Sequence, residues 1–351
     1  GNAEIESSLE RALGAIDADQ DKLDTAVAHF EKAVALAERG AGAEHPSVAR
    51  ALDSLGMAVM ARGDGARAIA LHERALHLYE RLLGAGHPTV AQALHHLGNA
   101  YTAVGDHAAA AAELRRALAI REAALGPEHP DLAANLTDLA RVVGRLGDPE
   151  QAAALARRGA VVGERAFGPE HPAFAGQLVT LGVQLGRSGH PLEADAALRR
   201  AEAIFARLHG PEHVEVMGVL VARGDLQLQQ ARWRDAAALY ERALPVLARS
   251  PGDGEALHSA QINLARARVE LHQAAVALPV LEQLARTPDA LPATDRVALE
   301  LTLAQALWDT GGDRARASAL ATGALARARG LPGARDDVAR IERWRTSHRV
   351  P

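Results

Sequence analysis

The 351-residue chain has no cysteine, which excludes disulfides and any zinc site built on thiolates. Aromatic residues make up only 3% of it, so its core has to be assembled from small and aliphatic side chains. Lysine occurs twice, at Lys22 and Lys32, and nearly all positive charge is arginine. Neither sign of charge prevails, with 39 basic against 44 acidic residues, a balance that argues against a general nucleic-acid binder. No apolar run approaches the roughly 18 residues of a membrane span, and no signal-peptide pattern opens the chain. A cytoplasmic location, with no membrane partner, is therefore expected. The first residue is Gly1 rather than methionine, which is compatible with a piece of a longer protein. Motifs of catalysis are missing too. No glycine-rich phosphate loop, GxSxG elbow, HRD or DFG occurs, and among 44 acids no pair stands out as catalytic. No enzyme activity, catalytic residue or cofactor is expected.

What is present is helix-forming and periodic. Hydrophobic residues are 48% and charged residues 24%, the balance of an ordered chain, and Ala, Leu and Arg dominate. His-Pro recurs at His45-Pro46, His87-Pro88, His129-Pro130 and His171-Pro172, with a degraded copy at His213-Val214. Each lies 42 residues after the last, in the frames GAEHP, GAGHP, GPEHP, GPEHP and GPEHV. A period of this size marks a stacked array, in which each unit buries its surface only against its neighbours.

Small residues keep the same phase. Eleven after each His stand Gly56, Gly98, Ala140, Gly182 and Gly224, and eighteen after stand Gly63, Gly105, Gly147, Gly189 and Ala231. Ala68, Ala110, Ala152, Ala194 and Ala236 share a third slot, and Ala75, Ala117, Gly159, Ala201 and Ala243 a fourth. Such slots mark helix–helix contacts. Each unit reads as two helices. The first starts at the proline, which has no N–H to leave orphaned. It carries a stripe such as Val48, Leu52, Leu55 and Val59. The first helix stops near Gly63, with Asp64 as the next N-cap. The second helix ends at Gly84. Backwards, the phase predicts a unit over residues 3–42. Residues 1–250 thus form about six regular units. The period fails over 251–351, where degenerate pairs are predicted at 255–286 and 293–329, turning at Gly311-Gly312-Asp313. A capping helix at 333–348 follows.

Glycine, alanine twelve later and alanine seven after that, as in Gly56, Ala68 and Ala75, resembles the tetratricopeptide repeat. The 42-residue period with His-Pro at each start resembles the kinesin light chain class of these repeats. The resemblance covers residues 3–250 well and implies an all-α, right-handed superhelical solenoid of antiparallel helix pairs. About eight pairs and a terminal helix are expected, and a bacterial source. It also implies a concave groove lined by the first helices, which holds a peptide or partner protein. By the family frame the lining falls 5, 8, 12 and 16 residues after the His. Those positions are Arg50, Asp53, Met57 and Ala61; Gln92, His95, Asn99 and Ala103; Ala134, Thr137, Arg141 and Arg145; and Gly176, Val179, Val183 and Arg187. Asn99 and Asn135 are similar to the asparagines common in this region of kinesin light chains.

Arg141, Arg145 and Arg187 suit an acidic or phosphorylated ligand, while Val179 and Val183 would add an apolar pocket. No metal site is expected. One His per repeat, set apart by helix layers of roughly 8–10 Å, cannot share an ion whose ligands lie about 2 Å away. His72 and His77 stand about 140° apart on a helix, so they fail as a zincin pair, and His95-His96 reads as surface or groove. The alternative to a free-standing interaction scaffold is a regulatory or self-associating segment of a larger signalling protein, such as a bacterial serine/threonine kinase.

Overall fold

The computed structural model describes residues 2–250, 254–288, 291–331 and 333–348. All the regular structure among them is helical. The helices are α1 (Asn2–Asp19), α2 (Leu23–Ala41), α3 (Pro46–Ala61), α4 (Gly65–Leu83), α5 (Pro88–Ala103) and α6 (His107–Leu125). They continue as α7 (Leu132–Arg145), α8 (Pro149–Phe167), α9 (Pro172–Arg187), α10 (Pro191–His209), α11 (Val214–Gln229) and α12 (Trp233–Leu247). The last are α13 (Gly254–Glu270), α14 (Ala274–Leu284), α15 (Ala293–Asp309), α16 (Arg314–Arg329) and α17 (Arg335–Ser347). These are eight helix pairs and a final helix, in two compact units, residues 1–166 and 167–351.

The recurring histidines explain themselves locally. His45, His87, His171 and His213 hold extended backbone just before a helix, and each imidazole Nδ1 accepts the N–H two residues on. A neutral imidazole thus serves as the N-cap, and a proline follows it at the first helical position in α3, α5 and α9. The third copy departs from expectation. His129 still accepts from Asp131 N–H at 3.3 Å, but α7 begins at Leu132, past Pro130 rather than on it.

The turn inside each pair needs a left-handed residue. Gly63, Gly105, Gly147 and Gly189 have φ of 79–94°, where a Cβ would cost about 1–2 kcal/mol. Asp21, Ala231 and His272 take the same conformation, at φ 58°, 55° and 59°. His272 lies 41 residues after Ala231, so the helix-pair plan continues past residue 250 with one residue removed.

The small-residue slots are the contact points. Ala68, Ala110, Ala152, Ala194 and Ala236 are all fully buried, as are Ala75, Ala117, Ala201 and Ala243. A Cβ at Gly98 would sit 2.7 Å from Leu114 Cγ, and one at Gly182 2.5 Å from Leu198 Cγ. The same glycine slot receives one side chain from the partner helix in each unit: Phe30 at Gly14, His72 at Gly56, Leu114 at Gly98, Leu198 at Gly182 and Tyr240 at Gly224.

First helices also touch one another, α1 on α3, α3 on α5 and α5 on α7 in the first unit, and α9 on α11, α11 on α13, α13 on α15 and α15 on α17 in the second. Second helices are joined instead by long side chains. Arg74 pairs with Glu38, Arg116 with Glu80 at 2.8 Å, and Arg158 with Glu122, one rung per 42-residue step. The irregular end has its own core, including Leu281, Leu301, Leu303, Ile341 and Trp344. Trp344 packs edge-on to Trp308 with ring centroids 5.8 Å apart. Pro245 inside α12 and Pro279 inside α14 accompany a cavity of about 280 Å³ whose lining includes Leu244, Pro245, Leu264, Ala277 and Val280. At the other end, α1 exposes Leu9, Leu13 and Ile16. Their counterparts one repeat on, Ala51, Leu55 and Ala58, are buried.

Candidate functional site

Positions 5, 8, 12 and 16 of a first helix lie about one turn apart, so each helix contributes one short stripe. In the first unit Arg50 and Met57 on α3, Gln92 on α5, and Arg141 and Arg145 on α7 are exposed. Asp53, Asn99 and Thr137 are half-buried. In the second unit Val179 and Val183 on α9 are half-buried and Arg187 is exposed.

Most polar members of the first-unit stripe are tied to residues beside it. Asp53 Oδ1 lies 2.9 Å from Nδ1 of both His72 and His96. Burial pushes the Asp53 carboxyl up, but those two hydrogen bonds outweigh it and hold the pKa down at about 2. His95, expected at the surface or in the groove, is buried, and its Nε2 reaches across to Asp138 at 2.7 Å. Arg141 donates to the other oxygen of Asp138 at 2.7 Å. Burial raises the Asp138 carboxyl, and His95 and Arg141 more than offset it. Gln92 accepts from Arg121 at 2.6 Å and its amide nitrogen meets His96 Nε2 at 2.6 Å. Thr137 donates to the Ala133 carbonyl of its own helix.

Asn135 is not on this face. It is fully buried, donates to the Leu114 carbonyl at 3.0 Å and accepts from the buried Arg121 at 3.2 Å. It is a polar tie between α6 and α7. His72 is the residue whose role sequence reasoning missed: it is fully buried, and its Nε2 has no hydrogen-bond partner. The readable signal was its place in the slot that holds Phe30, Leu114, Leu198 and Tyr240 elsewhere.

A sequence model of the tetratricopeptide repeat matches residues 4–63, 54–123, 98–160 and 177–249. The chain belongs to the tetratricopeptide repeat family. Tetratricopeptide repeats are protein–protein interaction scaffolds and generally non-catalytic. Among solved structures, this tetratricopeptide array is similar to kinesin light chain TPR-like repeats from Podosopora anserina, with 26% identity and a TM-score of 0.51. That match covers 58% of this chain and 98% of the other. It is also similar to BtubC (BKLC) from P. vanneervenii, at 21% identity and a TM-score of 0.54, over 66% of this chain and 92% of that one. The second likeness concerns the fold alone. No curated protein matches the chain. Among the described residues no helix is long and apolar enough to cross a membrane.

Proposed function

We propose that this chain is a non-catalytic cytoplasmic scaffold that holds an acidic segment of a partner protein in the groove formed by its first helices. The contacts from first helix to first helix support this layer as the inner, concave one of each unit. The observation that carries the reading is the pairing of the stripe's carboxylates. Asp53 and Asp138 are each held by histidine, so the outward charge of the first-unit face comes from Arg50 and Arg145, exposed and without an ion-pair partner among the described residues. Arginine in such a setting clamps carboxylate or phosphate through paired N–H donors. Asn99, half-buried between them, suits a peptide backbone amide. A preformed surface of this kind binds by many modest contacts rather than one deep pocket.

The test is affinity capture from lysate with the wild type and with Arg50→Ala/Asn99→Ala/Arg145→Ala. None of the three side chains is part of the core, so the variant is expected to keep its circular dichroism. A partner held by the wild type and lost by the variant supports the groove and names the ligand. Equal capture by both overturns the assignment to this face. Capture of nothing but the chain itself turns the reading to self-association, for which the exposed Leu9, Leu13 and Ile16 of α1 are the candidate surface.

A further inference from the structure

We propose that Asp53, His72 and His96 form a site for one divalent transition-metal ion of the zinc type, bridging helices α3, α4 and α5. The carboxylate oxygen and one nitrogen of each imidazole all lie within 4.8 Å of one another. Asp53 Oδ1 is already 2.9 Å from both Nδ1 atoms. An ion bound at about 2.0–2.2 Å to each would set them roughly 3.3 Å apart, so a small outward movement makes room. Two imidazoles and a carboxylate are a donor set suited to zinc and its neighbours.

The repeat supplies an internal comparison. The slot His72 occupies holds Phe30, Leu114, Ala156, Leu198 and Tyr240 in the other units, so packing against the neighbouring helix does not call for histidine. At this one junction a polar ring is fully buried, a placement that costs stability, and its Nδ1, the nitrogen offered to the ion, faces Asp53, while Nε2 packs against Gly56 without a partner. Its neighbours across the junction come from two variable slots. Asp53 stands where the next units have His95, Thr137 and Val179, and His96 where they have Asp138 and Thr180. Those two slots vary from unit to unit, and His95 with Asp138 repeats the carboxylate–imidazole pair at the next junction; what sets this junction apart is the third donor, His72. Asp53 and His96 keep 15% and 16% of their side-chain surface exposed, so an ion can enter from the first-helix face and complete its shell with water.

Without the ion, each imidazole is tied to Asp53 through Nδ1–H, and the Gln92 amide donates to His96 Nε2. Metal at Nδ1 moves each proton to Nε2, and at His96 the Gln92 side-chain amide must turn to present its oxygen.

The experiment is calorimetric titration of the metal-free chain with Zn²⁺, alongside Co²⁺ absorption to read the coordination. His72→Leu restores the residue that the next unit carries and is expected to fold at least as well as the wild type. Outer-shell partners of a metal command about 10- to 100-fold in affinity, so loss of this direct ligand is expected to weaken Zn²⁺ binding by at least about 100-fold, as is His96→Ala. A second cluster, His209, His213 and Glu215, is more exposed, and His209→Ala controls for it. One Zn²⁺ equivalent retained in His209→Ala and lost in His72→Leu supports the site. Failure to bind Zn²⁺, or binding that survives His72→Leu, overturns it.

Discussion

Two glycines six residues apart on α9 are expected to respond to alanine with opposite sign. A Cβ on Gly182 would lie 2.5 and 2.8 Å from Leu198 Cγ and Cδ2, and 3.1 Å from the Ala194 carbonyl oxygen. Leu198 is fully buried and the carbonyl belongs to helix α10, so neither can step aside cheaply. Overpacking of this kind costs about 1–3 kcal/mol, while alanine in place of glycine returns about 1 kcal/mol of helix propensity. The net expectation for Gly182→Ala is a loss of up to about 2 kcal/mol. A Cβ on Gly176 meets nothing within 4 Å, so Gly176→Ala keeps the propensity gain of about 1 kcal/mol. Urea denaturation followed by circular dichroism reads both. Adding Leu198→Ala to Gly182→Ala completes a cycle. Leu198→Ala alone should cost about 2–5 kcal/mol, and the pair less than the sum by about 0.5–3 kcal/mol, because the new methyl enters the space the leucine vacates. If Gly182→Ala stabilises as much as Gly176→Ala, the close approach of α9 to α10 is wrong, and with it the reading of every glycine in that slot.

Two further outcomes follow from the second unit. Asp225 accepts from Tyr240 at 2.5 Å and Asn263 at 2.9 Å, yet burial raises its carboxyl from 3.8 to about 6. The fold therefore favours the protonated acid: its contribution is complete below about pH 4 and is lost as pH rises through 6. Two pKa units correspond to about 3 kcal/mol at most, so Asp225→Asn should flatten the fall in stability between pH 4 and 7 by up to that amount, and an unchanged pH profile would refute the assignment. Ala231 holds φ at 55°, so Ala231→Gly is expected to stabilise by about 1 kcal/mol, read as a higher urea midpoint; a lower one would contradict the left-handed turn.

The periodic part of the fold was legible because it repeats. His-Pro, the turn glycines and the buried alanines each appear at least four times in one phase, and local rules for caps and turns name their roles. The degenerate end was readable only as helices and turns, since its phase shifts by a residue between Ala231 and His272. Less legible was which polar residues pair between helices. Asn135 looks like a groove asparagine in sequence, yet Arg121 and the Leu114 carbonyl draw it inside. His95 and His96 look like neighbours on a surface, yet one belongs to Asp138 and the other to Asp53. Such choices depend on the side chain supplied by the adjoining repeat, which a single-helix reading does not contain. Pro130 fails to open α7 although its motif is intact: the Ala133 N–H bonds to the Pro130 carbonyl at 3.0 Å, where Ala91 and Ala175 bond to the His carbonyl.

The rungs from Arg74 to Glu38, Arg116 to Glu80 and Arg158 to Glu122 give the layer of second helices a property of its own. Each is an exposed pair worth about 0.2–1 kcal/mol, too little to decide whether a helix pair folds. But every rung joins one pair to the next, so its energy enters the coupling between neighbours rather than the stability of either. In a one-dimensional stack, that coupling sets how many units open together. Because salt screens exposed charges, ionic strength should act on this layer as a dial for cooperativity, shortening the stretch that unfolds as one while leaving the buried alanine contacts as they are.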